Sequence, residues 1–204
     1  MKRNTIQIHK LSYRIINSIT IYRIFAAPML VFLIFKDQQD LFKWFLTVSF
    51  FTDSIDGYLA RKYKVASIVG SKLDSIGDDL TIVAAIAGML VFKLQFIKDH
   101  MVIIAVLLAL LILQNIFALI RYGKVTSFHT YLAKIAAVFQ GVFLILVFFL
   151  PAPVYELFYA ASVITILDLA EEIVLIFILP NWESDVKGIH WAVKRKKLNR
   201  REEK

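Results

Sequence analysis

Acidic residues set in apolar sequence give this chain its clearest indication of chemistry. Four of them fall into one ordered pattern: Asp53, Asp56, Asp74 and Asp78. An acid at the centre of a bilayer costs roughly 2.5 to 3.5 kcal/mol on insertion scales, so four would cost on the order of 10 kcal/mol, as much as a whole domain's stability. We therefore expect these carboxylates near the membrane interface, beside a wet cavity or on bound cations. Only the last two explain why they cluster.

The spacing of the aspartates predicts two helical faces. Residues three or four apart share a face of a helix, which pairs Asp53 with Asp56 and Asp74 with Asp78. If the loop over residues 62–69 folds the two helix ends side by side, the four acids converge on one pocket. Hard oxygen ligands suit Mg²⁺, Mn²⁺ or Ca²⁺, and two such ions close together can clamp a phosphoryl group during in-line displacement.

Glycine and arginine accompany the aspartates. Gly57 and Gly70 lack side chains and so allow a backbone or a ligand to approach closely. Arg61 adds a permanently charged guanidinium whose fork suits phosphate oxygens.

The composition indicates that lipid is the solvent for most of the chain. Hydrophobic residues make up 59% of its 204 residues, against roughly 45 to 50% in soluble domains. Cysteine is absent from the sequence, which excludes disulfides and thiolate sites, so any metal must use oxygen or imidazole ligands. The basic residues behind the formal charge of +8 lie at the edges of apolar segments, which favours lipid headgroups over nucleic acid as their partner.

Six long apolar stretches predict an all-α integral membrane protein with six transmembrane helices. They cover residues 18–35, 41–61, 71–93, 101–121, 130–150 and 153–179. The predicted domains are a short amphipathic interfacial helix over 1–16, the six-helix membrane domain over 17–182 and a basic cytoplasmic tail, solvated or against headgroups, over 183–204. A cleaved signal peptide is not expected, because the first apolar run is long, contains Asn17 and Arg23 and lacks a small-residue cleavage site.

Lysine and arginine in the flanks predict the orientation. They precede the first stretch, follow the second and fourth and are dense after the sixth, whereas the loop around 151–153 carries none. By the positive-inside rule both termini and the aspartate pocket then face the cytoplasm. Basic residues on the other side reduce the contrast: Lys36, Lys43, Lys93 and Lys98.

The stretch from Asp53 to Asp78 resembles the signature of the CDP-alcohol phosphotransferases at every defining position and spacing. Eight fixed residues over 26 positions are far more specific than a lone glycine motif. The opening of the first stretch is similar to that of the family in four residues: Asn17, Thr20, Arg23 and Pro28. Six spans are also the family's usual architecture.

The resemblance implies transfer of a phosphatidyl group from a CDP-linked donor, usually CDP-diacylglycerol, to an alcohol with release of CMP. It implies that Asp53, Asp56 and Asp74 hold two ions, Mg²⁺ or Mn²⁺. Asp78 would be the general base for the acceptor hydroxyl, a further metal ligand, or both. The donor-binding residues that it implies are Thr20, Gly57, Ala60, Arg61, Gly70 and Ser71.

Basic residues between the fourth and fifth stretches are candidates for binding a phosphorylated acceptor. They are Arg121, Lys124, His129 and Lys134. The alternative is that Arg121 and Lys124 only follow the positive-inside bias.

Further acids lie on one face of the sixth stretch. For Asp168, Glu171 and Glu172, structural pairing with Lys134 or Arg23 is favoured over catalysis.

The sequence gives conflicting signals on the acceptor. Family members that make phosphatidylglycerophosphate commonly carry proline after the third aspartate and lysine after the fourth, whereas this chain has Ser75 and Asp79. Glycerol 3-phosphate is mildly favoured over inositol phosphate or serine, because of the opening motif and the candidate phosphate-binding residues. Asp79 fits a solvated or supporting role at least as well as ligation.

A second class of function stays open, a transporter that binds divalent cations through intramembrane aspartates. Such a protein would place carboxylates at the bilayer midplane and use repeats or broken helices. Here they lie beside Arg61 and Lys62 at one edge of a stretch, and no repeat is evident in the sequence. Seventeen phenylalanines leave a homodimer open as well.

Overall fold

The computed structural model describes residues 25–63, 68–124, 128, 130–183 and 186–202, of which 53, 54, 56–63, 68–76, 78, 79 and 196–202 are described by their backbone alone. Every regular element within these residues is a helix, so the prediction of an all-α protein is confirmed for them. The chain divides into two compact units, Met1–Ile97 and Lys98–Lys204. The predicted interfacial helix over 1–16 lies outside the described residues.

The helices follow the apolar stretches closely. The first, α1, is described over Phe25–Phe35. The others are α2 (Gln39–Tyr63), α3 (Ile68–Phe92), α4 (Leu94–Asp99), α5 (Met101–Tyr122), α6 (Tyr131–Phe149), α7 (Tyr155–Ile178) and α8 (Ile189–Glu202). The loop predicted over 62–69 is shorter in the structure, because α2 continues to Tyr63 and α3 begins at Ile68.

A tight reversal separates α1 from α2. The Gln38 N–H donates to the Leu33 carbonyl at 3.0 Å and the Asp37 N–H to the Ile34 carbonyl at 3.1 Å. Asp37 has a φ of 53°. This is the hydrogen-bond pattern of a Schellman ending, with an aspartate in the left-handed position that glycine usually fills.

The first unit is organised by the packing of α2 against α3. Phe42, near the start of α2, is fully buried, and its ring centroid lies 5.5 Å from that of Phe92 at the end of α3. A Cβ added at Gly88 would meet Cε1 of Phe42 at 2.7 Å, so the ring fills the space beside this glycine. Because the start of α2 contacts the end of α3, the two helices are antiparallel.

The second unit is built around α7, which packs against α5, α6 and α8. Its buried apolar cluster draws on helices and on the segments between them: Ala118, Phe128, Leu175, Ile176, Leu179, Val186 and Ala192.

Within the described residues, α5 and α6 are long and apolar enough to cross a membrane. Their most apolar windows are only 11% and 22% buried, and side chains such as Val102 and Ile120 are 78% and 79% exposed. The core helix of a soluble protein would bury this surface. The exposure indicates a membrane protein, and the crossing of the other four predicted spans stays a prediction.

The C-terminal tail differs in part from the expected solvated segment. It contains α8, which packs on α7 and buries Ala192 at 3% exposure. Its charged residues Lys194 and Arg195 are exposed. Ile189 packs against the same buried cluster, and the ring centroid of Trp191 lies 5.5 Å from that of Tyr131, so the apolar residues of α8 attach it to the second unit.

Candidate active site on α2 and α3

The four aspartates of the pattern all lie on helical backbone. Asp53 and Asp56 are in the last three turns of α2, and Asp74 and Asp78 are in the first three turns of α3. The predicted placement of each pair on a single helix, three and four residues apart, is confirmed.

Asp53 and Asp56 lie on the continuation of the face of α2 that packs in the first unit. Phe42, Leu46 and Ser49 are each fully buried and follow one another at helical spacing. Asp53 and Asp56 come 11 and 14 residues after Phe42, close to three and four whole turns at roughly 3.6 residues per turn. The two aspartates therefore occupy positions on the same face as Phe42.

Asp74 lies on the continuation of the packed face of α3, and Asp78 lies beside it. Thr81, Ala84 and Gly88 are buried along it. Asp74 precedes Gly88 by 14 residues, again close to four whole turns. Asp78, one turn beyond Asp74, occupies a position at the side of this face.

The contact between Phe42 and Gly88 also fixes the register along the helix axes. At a rise of about 1.5 Å per residue, Asp56 and Asp74 each lie about 21 Å from that contact along their antiparallel helices. Asp53 and Asp78 lie about 15 to 17 Å from it. Counted from that contact, Asp53 and Asp78 lie at similar distances along their helices, and so do Asp56 and Asp74.

Hydroxyl residues separate the aspartates from the apolar packing. Ser49 follows Phe42 by seven residues and Thr81 precedes Gly88 by seven. Ser49 and Thr81 therefore lie at the same distance along their helices from the contact between Phe42 and Gly88. Both are buried, at 0% and 2% exposure. The Thr81 hydroxyl donates to the carbonyl of Gly77 at 2.8 Å, whereas the Ser49 hydroxyl has no hydrogen-bond partner among the described residues. Sequence reasoning missed this pair, although its spacing from the aspartates would have revealed it.

The residues at the aspartate end fit a divalent metal. The donor set is all oxygen, as Mg²⁺ and Mn²⁺ prefer. The orphaned Ser49 hydroxyl one turn from Asp53 is a donor suited to a ligating carboxylate. Among the described side chains, which do not include those of the four aspartates, no three acids or histidines are grouped as metal ligands.

The candidate donor-binding residues accompany the aspartates on both helices. Gly57, Ala60 and Arg61 lie on α2, and Gly70 and Ser71 lie on α3. Thr20 lies outside the described residues, together with Asn17 and Arg23. Their roles in donor binding stay predictions.

The candidate acceptor-binding residues lie in the second unit. Arg121 donates through Nε and Nη2 to the Leu179 carbonyl at 3.3 and 3.1 Å. Nζ of Lys124 lies 5.2 Å from the ring centroid of Trp182. Nζ of Lys134 lies 5.7 Å from that of Tyr131 within α6; His129 lies outside the described residues.

The acids of α7 hold the second unit together. Glu172 accepts a hydrogen bond from Nε2 of Gln114 at 2.6 Å, which joins α7 to α5. Asp168 accepts from the hydroxyl of Thr130 at 3.4 Å, the residue that also caps α6 by accepting from the Ala133 N–H.

Glu171 extends the same arrangement to α8. Its Oε1 accepts from the Ile189 N–H at 3.1 Å, the first backbone donor of α8, where a carboxylate is favoured. These contacts agree with the predicted structural role, although Gln114, Thr130 and the Ile189 N–H are neutral donors. Of the basic partners expected, Arg23 is outside the described residues and Lys134 lies over Tyr131.

The fold and the site define a helical membrane protein that carries paired aspartates on two antiparallel helices. Comparison with known families narrows the class. The sequence profile described as CDP-alcohol phosphatidyltransferase matches residues 14–181, which is most of the chain. The chain belongs to this family, so the prediction of a phosphotransferase is confirmed at the level of the family, and the transporter alternative is disfavoured.

Three curated relatives are similar to part of the chain. A "Cardiolipin synthase (CMP-forming) / mitochondrial hydrolase fusion protein" of Schizosaccharomyces pombe is 36% identical over 34% of this chain. Two proteins called "CDP-diacylglycerol--glycerol-3-phosphate 3-phosphatidyltransferase" are 34% identical over 37% of the chain in Cereibacter sphaeroides and 35% identical over 33% of it in Haemophilus influenzae. The aligned segments span only 13%, 36% and 38% of these relatives' own lengths. No solved structure matches the chain significantly.

Proposed function

We propose that this protein is a multi-pass membrane enzyme that transfers the phosphatidyl group of CDP-diacylglycerol to a small alcohol. The acceptor oxygen forms a bond to the phosphorus that carries the diacylglycerol, and the bond from that phosphorus to the bridging oxygen of CMP breaks. The acceptor's hydroxyl proton leaves to a base. The matching distances of Asp53 and Asp78, and of Asp56 and Asp74, from the contact between Phe42 and Gly88 are the observation that carries the proposal.

In this proposal the carboxylates divide the work. Asp53, Asp56 and Asp74 hold two divalent ions, Mg²⁺ or Mn²⁺. When bound, these ions supply positive charge that offsets the charge of the pyrophosphate and of the departing CMP. Asp78 accepts the hydroxyl proton of the acceptor, since a base needs a free carboxylate within hydrogen-bond reach of that hydroxyl.

The donor is bound by residues of the same two helices. Gly57 and Gly70 leave room for the cytidine phosphate to approach the backbone. Arg61 binds its phosphate oxygens through the guanidinium fork. The remaining members of the proposed donor site are Thr20, Ala60 and Ser71.

Glycerol 3-phosphate is the favoured acceptor. Two of the relatives carry this molecule in their names, and its phosphate suits a basic site. Lys124 and Lys134 lie over aromatic rings and Arg121 donates to a carbonyl. Such neutral partners leave each positive charge available to an anion.

In the proposed function the membrane holds the acyl tails of the donor. With six spans and both termini on the cytoplasmic side, the acyl tails of the donor stay in lipid while the phosphates meet the soluble acceptor at the interface. The exposed apolar surface of α5 and α6 and the basic residues after α7 support this arrangement.

The test uses the purified full-length protein in lipid nanodiscs with CDP-diacylglycerol and either Mg²⁺ or Mn²⁺. Glycerol 3-phosphate, inositol phosphate, serine and the lipid alcohol phosphatidylglycerol are supplied separately, and CMP and the lipid product are measured. We expect CMP release with glycerol 3-phosphate, abolished by EDTA. Release with another acceptor would correct the substrate, and no release with any acceptor would contradict the proposed function.

A further inference from the structure

Several helix ends of the second unit meet at the start of α8. The hydroxyl of Tyr122, the last residue of α5, donates to the Leu179 carbonyl just after α7 at 2.9 Å. The N–H of Tyr131, the first residue of α6, donates to the Lys187 carbonyl at 3.4 Å. Because α5 and α6 are long and apolar enough to cross a membrane, these contacts place the start of α8 at the level where the hydrocarbon core ends and the headgroups begin.

Aromatic side chains are exposed at this same level. Trp191, in the first turn of α8, is 48% exposed, and Tyr131 and Trp182 are exposed as well. The ring centroid of Trp191 lies 5.5 Å from that of Tyr131. Tryptophan and tyrosine are enriched at membrane–water interfaces, where one part of the ring contacts apolar groups and the other stays polar. An exposed indole at the start of α8 therefore suits the headgroup layer.

The segment around this indole is strongly basic. Lys187 and Lys194 are both exposed and lie four residues before and three residues after Trp191. Over residues 187–201 the sequence has seven lysines and arginines and no acid: Lys187, Lys194, Arg195, Lys196, Lys197, Arg200 and Arg201. Such a cluster beside a membrane complements anionic headgroups.

The attachment of α8 to the second unit leaves its basic side outward. Oε1 of Glu171 accepts from the Ile189 N–H at 3.1 Å, and Ala192 is buried in the apolar cluster. Lys194 follows Ala192 by two residues, which at about 100° per residue puts it on nearly the opposite side of the helix. The contacts that hold α8 therefore do not cover Lys194.

We propose that the start of α8 is a docking surface for the anionic headgroups of membrane phospholipids. This surface, here called the α8 surface, consists of Lys187, Trp191 and Lys194. The indole lies among the headgroups, and the two ammonium groups bind lipid phosphates and carboxylates. The occupant is lipid rather than a second copy of the chain, because a second copy would set one basic segment against another, and like charges repel across an interface.

The test measures which lipid lies beside Trp191. Full-length protein with Trp44→Phe and Trp182→Phe, which leaves Trp191 as its one tryptophan, is placed in phosphatidylcholine nanodiscs. These contain brominated phosphatidylserine or brominated phosphatidylcholine at the same fraction, and bromine quenches fluorescence on close approach. We expect quenching to show a preference for phosphatidylserine of about fivefold for each of the two lysines, and high salt should reduce it.

Two double variants locate the preference on the α8 surface. Lys187→Gln with Lys194→Gln should remove it. Lys36→Gln with Lys98→Gln removes the same charge from exposed residues outside this surface and should leave it unchanged. No donor or acceptor is present, so the outcome does not depend on the proposed reaction.

Three results would overturn the proposal. One is equal quenching by the two brominated lipids, and another is a preference that survives the loss of Lys187 and Lys194. The third is quenching by neither lipid, which would mean that water or a second copy of the chain covers Trp191.

Discussion

The ring of Phe42 occupies the space that a side chain at Gly88 would need, and this contact sets the register of α2 against α3. Gly88→Ala should therefore destabilise the protein by about 1 to 3 kcal/mol, because the fully buried ring must shift to admit the new methyl group. Thermal unfolding in nanodiscs measures the effect. Phe42→Leu should partly restore stability to Gly88→Ala, because it removes the ring atoms that the methyl group meets.

Gly141 provides the matched control for that substitution. It lies in α6, and a Cβ added there meets nothing within 4 Å. Gly141→Ala should raise stability by roughly 0.5 to 1 kcal/mol through the lower helix propensity of glycine. Equal effects of the two substitutions would contradict the close approach at Gly88.

Substitutions of Asp56 on α2 and Asp78 on α3 should distinguish metal binding from proton transfer. Asp56→Asn is expected to weaken Mn²⁺ and donor binding together, whereas Asp78→Asn should bind the donor and lose turnover. Binding of CDP-diacylglycerol and CMP release are measured for each variant, with Asp79→Asn as the control outside the pattern. Equal loss of donor affinity in the Asp56 and Asp78 variants would refute the division of roles.

Lys124 tests the acceptor site. Its Nζ lies over the ring of Trp182 and keeps its charge for an anion. Lys124→Gln should raise the KM for glycerol 3-phosphate about tenfold, the loss expected for one charged hydrogen bond, with kcat and donor affinity little changed. Lys36→Gln is the matched control, because Lys36 also lies over a ring, that of Phe32. A rise in KM with both variants would indicate a general charge effect.

Gly188 governs the start of α8. Its φ of 141° is a conformation that other residues rarely adopt, and a Cβ there would lie 2.9 Å from Oε1 of Glu171. Gly188→Ala should cost roughly 1 to 3 kcal/mol and release α8, seen as faster proteolysis of the C-terminal segment. Gly123→Ala, at φ 66° with open space around it, should cost less because only the backbone is strained. Protection of α8 in the Gly188 variant would contradict this view.

The sequence by itself determined the helices and the pairing of aspartates on them. Apolar runs and helical spacing are local properties, so the stretches predicted over 41–61 and 71–93 became α2 and α3 with ends shifted by one to three residues. The family signature from Asp53 to Asp78 consists of residue types at fixed spacings, so it too can be recognised in the sequence alone. The short helix α4 was not foreseen, because its six residues are too few for a periodic signal.

Only the tertiary structure decided which residues meet. The fit of Phe42 against Gly88 and the choice of Gln114 as a donor to Glu172 depend on the shapes of two helices at once. Two apolar helices bury similar apolar surface in any register, so hydropathy cannot predict the register. Close packing favours the register in which the ring of Phe42 occupies the space beside Gly88. Counted from that contact, the aspartates of α2 and α3 lie at matching distances along the two helices.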